Sequence, residues 1–322
     1  MNGRILVTGA GGFIGRALCA RLEQAQVAHV AAVRAVAPED ARKQAYVALG
    51  DFAAADWHEV LDGVETVVHL AGRAHVLGRD ADAATPYIVA NVHVTRRLVD
   101  AAARAGVRRI VFASTVKVYG EASAPGRPFR DGDAAGPRDA YAHSKAEAEN
   151  VLREIAAARG FEAIVLRLPL TYGPGVKGNF LALMASIAAQ RRLPLAGIAN
   201  RRSLLYVGNA VSAIEAALVA RGLGGDALPI ADAETISTRD LATRLARALR
   251  VEPRLFSLPA PFLRGAAAIL GRSADAARLL DSLEVDASRF RELTGWKPPH
   301  SLDEALLATA AWWRKEHPAL RR

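Results

Sequence analysis

Three side chains in this sequence, Thr115, Tyr141 and Lys145, have the types and spacing needed to move a proton on and off an oxygen. Tyr141 and Lys145 stand four residues apart in Tyr141-Ala142-His143-Ser144-Lys145, so on a helix they share a face, where an ammonium is expected to lower the pKa of a phenol. Thr115 follows Ala113-Ser114 and would bring a hydroxyl to the same substrate oxygen. A Tyr-x-x-x-Lys pair can equally decorate a surface helix. It gains meaning from a second stretch, Val7-Thr8-Gly9-Ala10-Gly11-Gly12-Phe13-Ile14-Gly15, whose glycines stand where a buried strand turns tightly into a helix. That is the layout of a phosphate cradle for a dinucleotide. Gly9 is expected to take the φ of the turn, Gly12 to let backbone approach a pyrophosphate, and Gly15 to let the helix pack closely on the strand, with Phe13 and Ile14 in the same cofactor-binding turn.

The elements that must position these groups alternate along the chain. Strands are predicted over 5–8, 29–33, 45–49, 66–70, 109–113 and 163–168, and helices after Gly12, around 57–61, over 84–104 and over 141–159. Right-handed crossovers turn that order into an α/β fold, a doubly wound parallel Rossmann sheet, with a smaller, mostly helical C-terminal substrate-binding part. The expected division is 1–172 plus 204–232 for the dinucleotide-binding domain, and 173–203 with 233–322 for the substrate part. At the end of the second strand the chain reads Val33-Arg34 with no carboxylate until Glu39, and an arginine there can pair with a 2′-phosphate. NADP(H) is therefore favoured over NAD(H). Asp51, followed by Phe52, is placed to accept from an adenine amino group, while Leu70, Ala71 and Gly72 let a dinucleotide lie across the strand ends. Asn91 is a polar residue inside the long helix; it either supports the catalytic centre, as a member of the cofactor site, or caps a kink.

Composition narrows the field. The chain has 322 residues and a formal net charge of +9, but its arginines are scattered and no basic run is interleaved with aromatics, which argues against nucleic acid and suits anionic small molecules. A single cysteine, Cys19, excludes an internal disulfide and makes a thiolate metal site implausible; no metal is expected, and core packing is its expected role. The start of the chain leads directly into the first strand, leaving no room for a signal peptide, and the best apolar run, 260–270, is too short to span a bilayer and carries Arg264. A cytoplasmic protein without a membrane span is expected.

With those residues in hand, the chain resembles the extended short-chain dehydrogenase/reductases, the NAD-dependent epimerase/dehydratase group that acts on nucleotide-sugars. Thr8 to Gly15 looks like that group's cofactor fingerprint, and Ser114-Thr115-Val116-Lys117-Val118-Tyr119-Gly120 resembles its active-site segment, in which the catalytic hydroxyl carries over to Thr115. Tyr141 and Lys145 match its catalytic pair, and Arg167-Leu168-Pro169 the strand end that passes the nicotinamide, which adds Pro169 to the cofactor site. Gly178-Asn179-Phe180 resembles the place where an asparagine meets the sugar-nucleotide diphosphate, and Arg202-Ser203-Leu204-Leu205-Tyr206-Val207 the segment whose arginine binds the nucleotide. Here Ser203 replaces an aspartate, and Gly208-Asn209 an acidic pair. Arg278 is either a further phosphate or ribose contact or a solvated helix residue. Leu293 to Pro298, followed by Ser301 and Glu304 as a capping box, looks like the closing signature.

The nearest likeness is to UDP-4-keto-6-deoxy-N-acetylhexosamine 4-reductases and UDP-glucose 4-epimerase-like proteins of surface-polysaccharide synthesis. This implies hydride transfer at C4 of a UDP-sugar, with Tyr141 exchanging the proton and Lys145 holding the tyrosine and the nicotinamide ribose. Arg34 leans toward the reductase; a 4-epimerase with retained NAD is the alternative. A dehydratase would need an acid/base pair where Val116-Lys117 stands. A non-catalytic NAD(P)-binding sensor would be expected to have lost the tyrosine or the lysine, and this chain retains both Tyr141 and Lys145, with Thr115. The helices starting near Ala84 and Tyr141 could pair across a homodimer or cover their own sheet.

Overall fold

Runs that are apolar on both faces, such as Ile5-Leu6-Val7 and Ile164-Val165-Leu166, are satisfied in a sheet covered on both sides, and the chain builds one. The computed structural model describes residues 3–40, 43, 45–74, 84–225, 227–269, 271 and 273–317. Its strands are β1 (Arg4–Thr8), β2 (His29–Val33), β3 (Tyr46–Ala48), β4 (Val64–His69), β5 (Arg109–Thr115), β6 (Glu162–Leu168), β7 (Leu170–Tyr172), β8 (Arg202–Tyr206), β9 (Ala227–Pro229) and β10 (Thr235–Ile236). The helices are α1 (Phe13–Gln24), α2 (His58–Leu61), α3 (Ala84–Tyr87), α4 (Val94–Arg104), α5 (Ala140–Arg159), α6 (Gly178–Ala188), α7 (Val207–Val219), α8 (Thr238–Leu249), α9 (Ala260–Ile269), α10 (Ser273–Leu280), α11 (Ser288–Thr294) and α12 (Leu302–Glu316).

Seven strands form one sheet in the order β3-β2-β1-β4-β5-β6-β9, with every pairing parallel. The order reverses between β1 and β4, so the loops after these two strands diverge and open a crevice at the strand C-termini. Leu18, Leu22, Ile214 and Phe290 cover one face beneath α1, α7 and α11, while Leu98, Leu152 and Ile155 of α4 and α5 cover the other. A third apolar cluster, with Phe180, Met184, Leu245, Leu306 and Trp313, joins α6, α8 and α12. Cys19 lies buried in the first of these clusters, as its helical position implies.

The six expected strands are present within two residues at each end. The seventh, β9, was not foreseen: three residues ending in Pro229 carry no alternation to read. Nor was the small sheet β10-β8-β7, which ties the chain after β6 to the C-terminal helices. The single helix expected over 84–104 is interrupted by a π-helical segment, Ile88–His93, centred on Asn91. Asp139 caps α5 by accepting from the Ala142 amide, and Gly160 ends it in the left-handed conformation. The expected capping box of Ser301 and Glu304 opens α12. In the apolar run 260–270, α9 ends at Ile269 and Leu270 lies outside the described residues, as does Met1. No helix among the described residues is long and apolar enough to cross a membrane.

Candidate active site

Six of the seven parallel strands deliver, at their C-terminal ends, residues expected in the site: the glycine turn after β1, Arg34 after β2, Asp51 and Phe52 after β3, Leu70 to Gly72 after β4, Thr115 at the tip of β5 and Pro169 after β6. The turn is shaped by exclusion. Gly9 has φ +69°, and a Cβ there would sit 2.7 Å from the Ala71 backbone nitrogen. A Cβ on Gly15 would fall 2.2 Å from the Gly9 carbonyl oxygen, so this glycine is needed by the turn itself rather than by the body of the strand. Gly12 caps α1 with no side-chain acceptor, which leaves the first-turn N–H groups to the crevice and fits the phosphates of a dinucleotide. Phe13 faces the loop at Gly175, and Ile14 packs into the core.

Arg34 is exposed beside this turn. Asp51 is exposed and accepts from the Ala53 amide at 3.0 Å. Phe52 turns its ring into the core, edge-on to Trp57 with centroids 5.2 Å apart, so it can offer a cofactor only its backbone. The carboxylates after β2, Glu39 and Asp40, bind Arg16 of α1 at 3.3 and 2.8 Å.

A buried chain of hydrogen bonds joins the glycine turn to Asn91. The Thr95 hydroxyl donates to the Asn91 carbonyl at 2.5 Å, so it must accept from Nε2–H of His69 at 2.9 Å. Nδ1 of His69 then accepts from the Thr8 hydroxyl at 2.7 Å, and Thr8 accepts from the Ala71 amide at 3.3 Å. The network thereby assigns the tautomer. Burial keeps the imidazole neutral, pulling its pKa down to about 3, with the Lys145 charge adding to the effect. The Asn91 amide is spent on protein: it accepts from the Arg73 amide at 2.7 Å and donates to the Arg73 carbonyl and to Ser144 at 3.1 and 2.8 Å. Ser144 in turn donates to the Tyr141 carbonyl. Asn91 is thus a strut between the loop after β4 and the first turn of α5.

On α5, Tyr141 and Lys145 project from successive turns, and the Tyr141 hydroxyl is hydrogen-bonded to Thr115. The expectation that Lys145 lowers the Tyr141 pKa is not met. Burial pushes the phenol up to about 12, with Asp139 and Tyr87 adding to the rise, and the Thr115 hydrogen bond is the contact that opposes it. Lys145 is itself brought down to about 7 by burial, against the pull of Glu149, and its ammonium lies 3.9 Å from the centre of the Phe112 ring. Desolvation outweighs the opposing contacts at both groups.

Two neighbours that the motif did not identify complete the frame. Glu149, fully buried one turn past Lys145, accepts from Arg167 at 3.0 and 2.6 Å, from Arg153 at 3.1 Å and from Ser114. It therefore ties the residue before Thr115, the strand leading to Pro169 and the helix of Tyr141 into one unit, and the Arg167 guanidinium stacks on Tyr119 at 4.3 Å. The signal was present in the sequence: Glu149 follows Lys145 by four on a face otherwise filled by Ala148 and Leu152. Lys117 pairs with Glu121 and Asp139 at 2.7 and 2.5 Å, which ties the Thr115 segment to the cap of α5.

On the other side of the crevice, Asn179 is exposed in the first turn of α6, and Arg202 donates to the Asp281 carbonyl at 3.0 Å. Burial draws the Arg202 pKa down; the carboxylates of Asp281 and Glu121 oppose this and the like charge of Arg278 adds to it. Two guanidinium groups held within reach of each other fit an anionic ligand. Arg201 points away, to Glu284 and Thr235. Where aspartate was replaced, Ser203 accepts from the Val285 amide at 3.0 Å, and Asn209 donates to Asp232 at 2.7 Å.

Comparison with known proteins accords with this geometry. A model of the NAD dependent epimerase/dehydratase family matches residues 5–231. A UDP-glucose 4-epimerase of Vibrio cholerae is 34% identical over 313 residues, 95% of this chain and 94% of that protein. A GDP-6-deoxy-D-mannose reductase of Pseudomonas aeruginosa is 28% identical over 322 residues, 97% of this chain and 98% of its own. Among solved structures, MoeE5 in complex with UDP-glucuronic acid and NAD superposes with a TM-score of 0.79 at 25% identity, covering 98% of this chain and 100% of that one.

Proposed function

This chain belongs to the NAD dependent epimerase/dehydratase family, and on that premise we propose that it is a nicotinamide-dependent oxidoreductase acting at C4 of a UDP-linked hexose. The observation that carries the reading is the Thr115–Tyr141 hydrogen bond at the tip of β5, with Lys145 one turn along, beside a glycine cradle that a single Cβ would fill. A nicotinamide dinucleotide bound in the cradle supplies the hydride donor or acceptor. Tyr141 gives its O–H proton to the C4 oxygen when the carbon is reduced and takes it back on oxidation. Thr115 orients that oxygen and is the contact that opposes the rise of the phenol pKa. Lys145 donates to the ribose hydroxyls. Asn179, Arg202 and Arg278 hold the diphosphate; on this reading 173–203 and 233–322 serve the sugar nucleotide and 1–172 with 204–232 the dinucleotide, with Phe290 and Trp296 of the last segment packing under the parallel sheet.

Within this reading we favour the reduction of a UDP-4-keto-6-deoxy-N-acetylhexosamine with NADPH. Arg34, exposed after β2 with the nearby carboxylates engaged by Arg16, supports it, because a pool-exchanging reductase gains from recognising a 2′-phosphate. The likeness to a UDP-glucose 4-epimerase supports the second reading, a 4-epimerase with retained NAD.

Purified protein distinguishes them. An apo-protein that oxidises NADPH only when a UDP-4-keto-sugar is added is the expected result; tightly retained nicotinamide with interconversion of UDP-hexoses would establish the epimerase. Tyr141→Phe should abolish either turnover while leaving dinucleotide binding within about twofold, and a loss of less than about tenfold would overturn the assigned proton transfer.

A further inference from the structure

A ligand with C4 at Tyr141 and its diphosphate at Arg202 lays its hexose ring across the interval between them, and Leu170 stands in that interval. It is 44% exposed, and among the described residues it is the one large apolar side chain left bare on a strand. Leu168, at the end of β6, is the parallel partner of Thr115, and Leu170 opens β7 two residues later. Leu170 is in turn the parallel partner of Leu204 in β8, and Arg202 lies two residues before Leu204. Register partners point to the same face of a sheet, as do residues two apart on a strand, so Leu170, Leu204 and Arg202 project from one face of the small sheet. Deeper on that face, Leu204 and Tyr172 are buried against Phe180 and Met184 of α6. Leu170, at the outer end of β7, is left uncovered.

The cofactor lies elsewhere. Its glycine turn follows β1, and Gly72 after β4, where an added Cβ would stand 3.9 Å from Lys145 Nζ, marks the way to the proton-transfer pair, whereas β6 lies on the far side of β5 from both strands. Leu170 therefore meets the sugar. The segment after Thr115 supplies charge to the same interval: Lys117 binds Asp139, whose carboxylate acts on Tyr141, and Glu121, whose carboxylate acts on Arg202. A pyranose has two edges between C4 and C1. One carries the hydroxyl or acetamido groups of C3 and C2, which suit the charged segment. The other carries the ring oxygen and C6, and it suits a leucine when C6 is a methyl, because a hydroxyl pressed on leucine loses water and gains no bond.

We propose that Leu170 is a specificity-determining residue that packs on C6 of the sugar and selects a 6-deoxyhexose over a 6-hydroxyhexose. This rests on the reading of the site as one that takes a UDP-sugar with C4 at Tyr141, and it holds for a reductase and an epimerase alike. Full-length protein saturated with NADH or NADPH, whichever it binds, is titrated calorimetrically with UDP-glucose and with UDP-6-deoxyglucose. The two differ by one oxygen, and the reduced cofactor cannot turn over either. The 6-deoxy sugar is expected to bind at least about tenfold tighter, the scale on which an apolar pocket discriminates one such group. Leu170→Asn, at an exposed position and so with an unchanged melting temperature, offers the hydroxyl a partner and should bring the ratio below about threefold. Binding of neither sugar would overturn the reading of the site, and this inference with it. Equal binding of the two sugars by wild type, or a ratio unchanged in Leu170→Asn, would overturn the inference alone. So would a Leu170-dependent preference for UDP-N-acetylglucosamine over UDP-glucose without discrimination at C6, which would put the acetamido methyl on the leucine.

Discussion

Replacing Glu149 by Gln keeps the shape of the side chain and removes the charge that Arg167 and Arg153 are bound to. Glu149 is 1% exposed and the Arg167 side chain is almost as deeply buried, so the substitution strands a guanidinium in a dry interior. Breaking a buried pair from one side costs about 3–5 kcal/mol. With an unfolding entropy of about 2.1 cal/mol/K per residue over 322 residues, that loss corresponds to a melting temperature lower by about 4–7 °C. The double variant Glu149→Gln/Arg167→Met removes the stranded charge as well and should recover more than half of the deficit, because replacing both partners of a buried ion pair is close to neutral. Scanning calorimetry of the wild type, the two single variants and the double variant measures this cycle. A drop of less than about 1 °C in Glu149→Gln would refute the reasoning, since the carboxylate would then not be holding a buried charge.

Gly15→Ala places a Cβ 2.2 Å from the Gly9 carbonyl, and the turn must open; dinucleotide affinity by fluorescence titration should weaken by about 1–3 kcal/mol, and an unchanged affinity would mean the cradle is softer than its contacts imply. Arg34→Asp should shift the ratio of kcat/KM for NADPH over NADH toward NADH by about tenfold or more, and no shift would remove the basis for preferring the phosphorylated cofactor. Lys145 loses its proton near pH 7 when folded and, at its ordinary 10.5, when unfolded, so across that window the unfolded chain binds more protons and stability rises with pH by up to about 1.4 kcal/mol per unit. The stability advantage of Lys145→Met over wild type should therefore shrink from pH 7 upward; a pH-independent difference in urea unfolding would show that the ammonium is not desolvated.

The parallel sheet and its crevice were legible because period and punctuation agree there: apolar runs end in glycines or in polar residues at strand ends. Tyr141 and Lys145 could be singled out from spacing read together with the glycine turn, and Thr115 from the strand end and the family resemblance; the structure brings Thr115 and Tyr141 into hydrogen-bond contact. What spacing could not convey was burial. A helical i,i+4 pair in water suggests an ammonium acting on a phenol, whereas burial moves both groups toward neutrality. His69 was hidden because its partners lie on another strand and another helix, whereas Glu149 could have been flagged by its i,i+4 spacing from Lys145 but its main partner, Arg167, lies on a separate strand. The short strands β9 and β10 were invisible because two or three residues carry no period.

The file of hydrogen bonds from Ala71 through Thr8, His69 and Thr95 to the Asn91 carbonyl points one way along its whole length. Its direction is pinned at both ends by groups with no choice, an amide that can only give and a carbonyl that can only receive. The imidazole must therefore present one giving and one receiving edge at the same moment. Neither a second proton nor a side chain with both functions at a single tip can serve at position 69. In effect the grammar of this file leaves its middle word almost a single spelling, and the glycine turn and the π-helical segment that carries Asn91 stay in step because that word cannot be reversed.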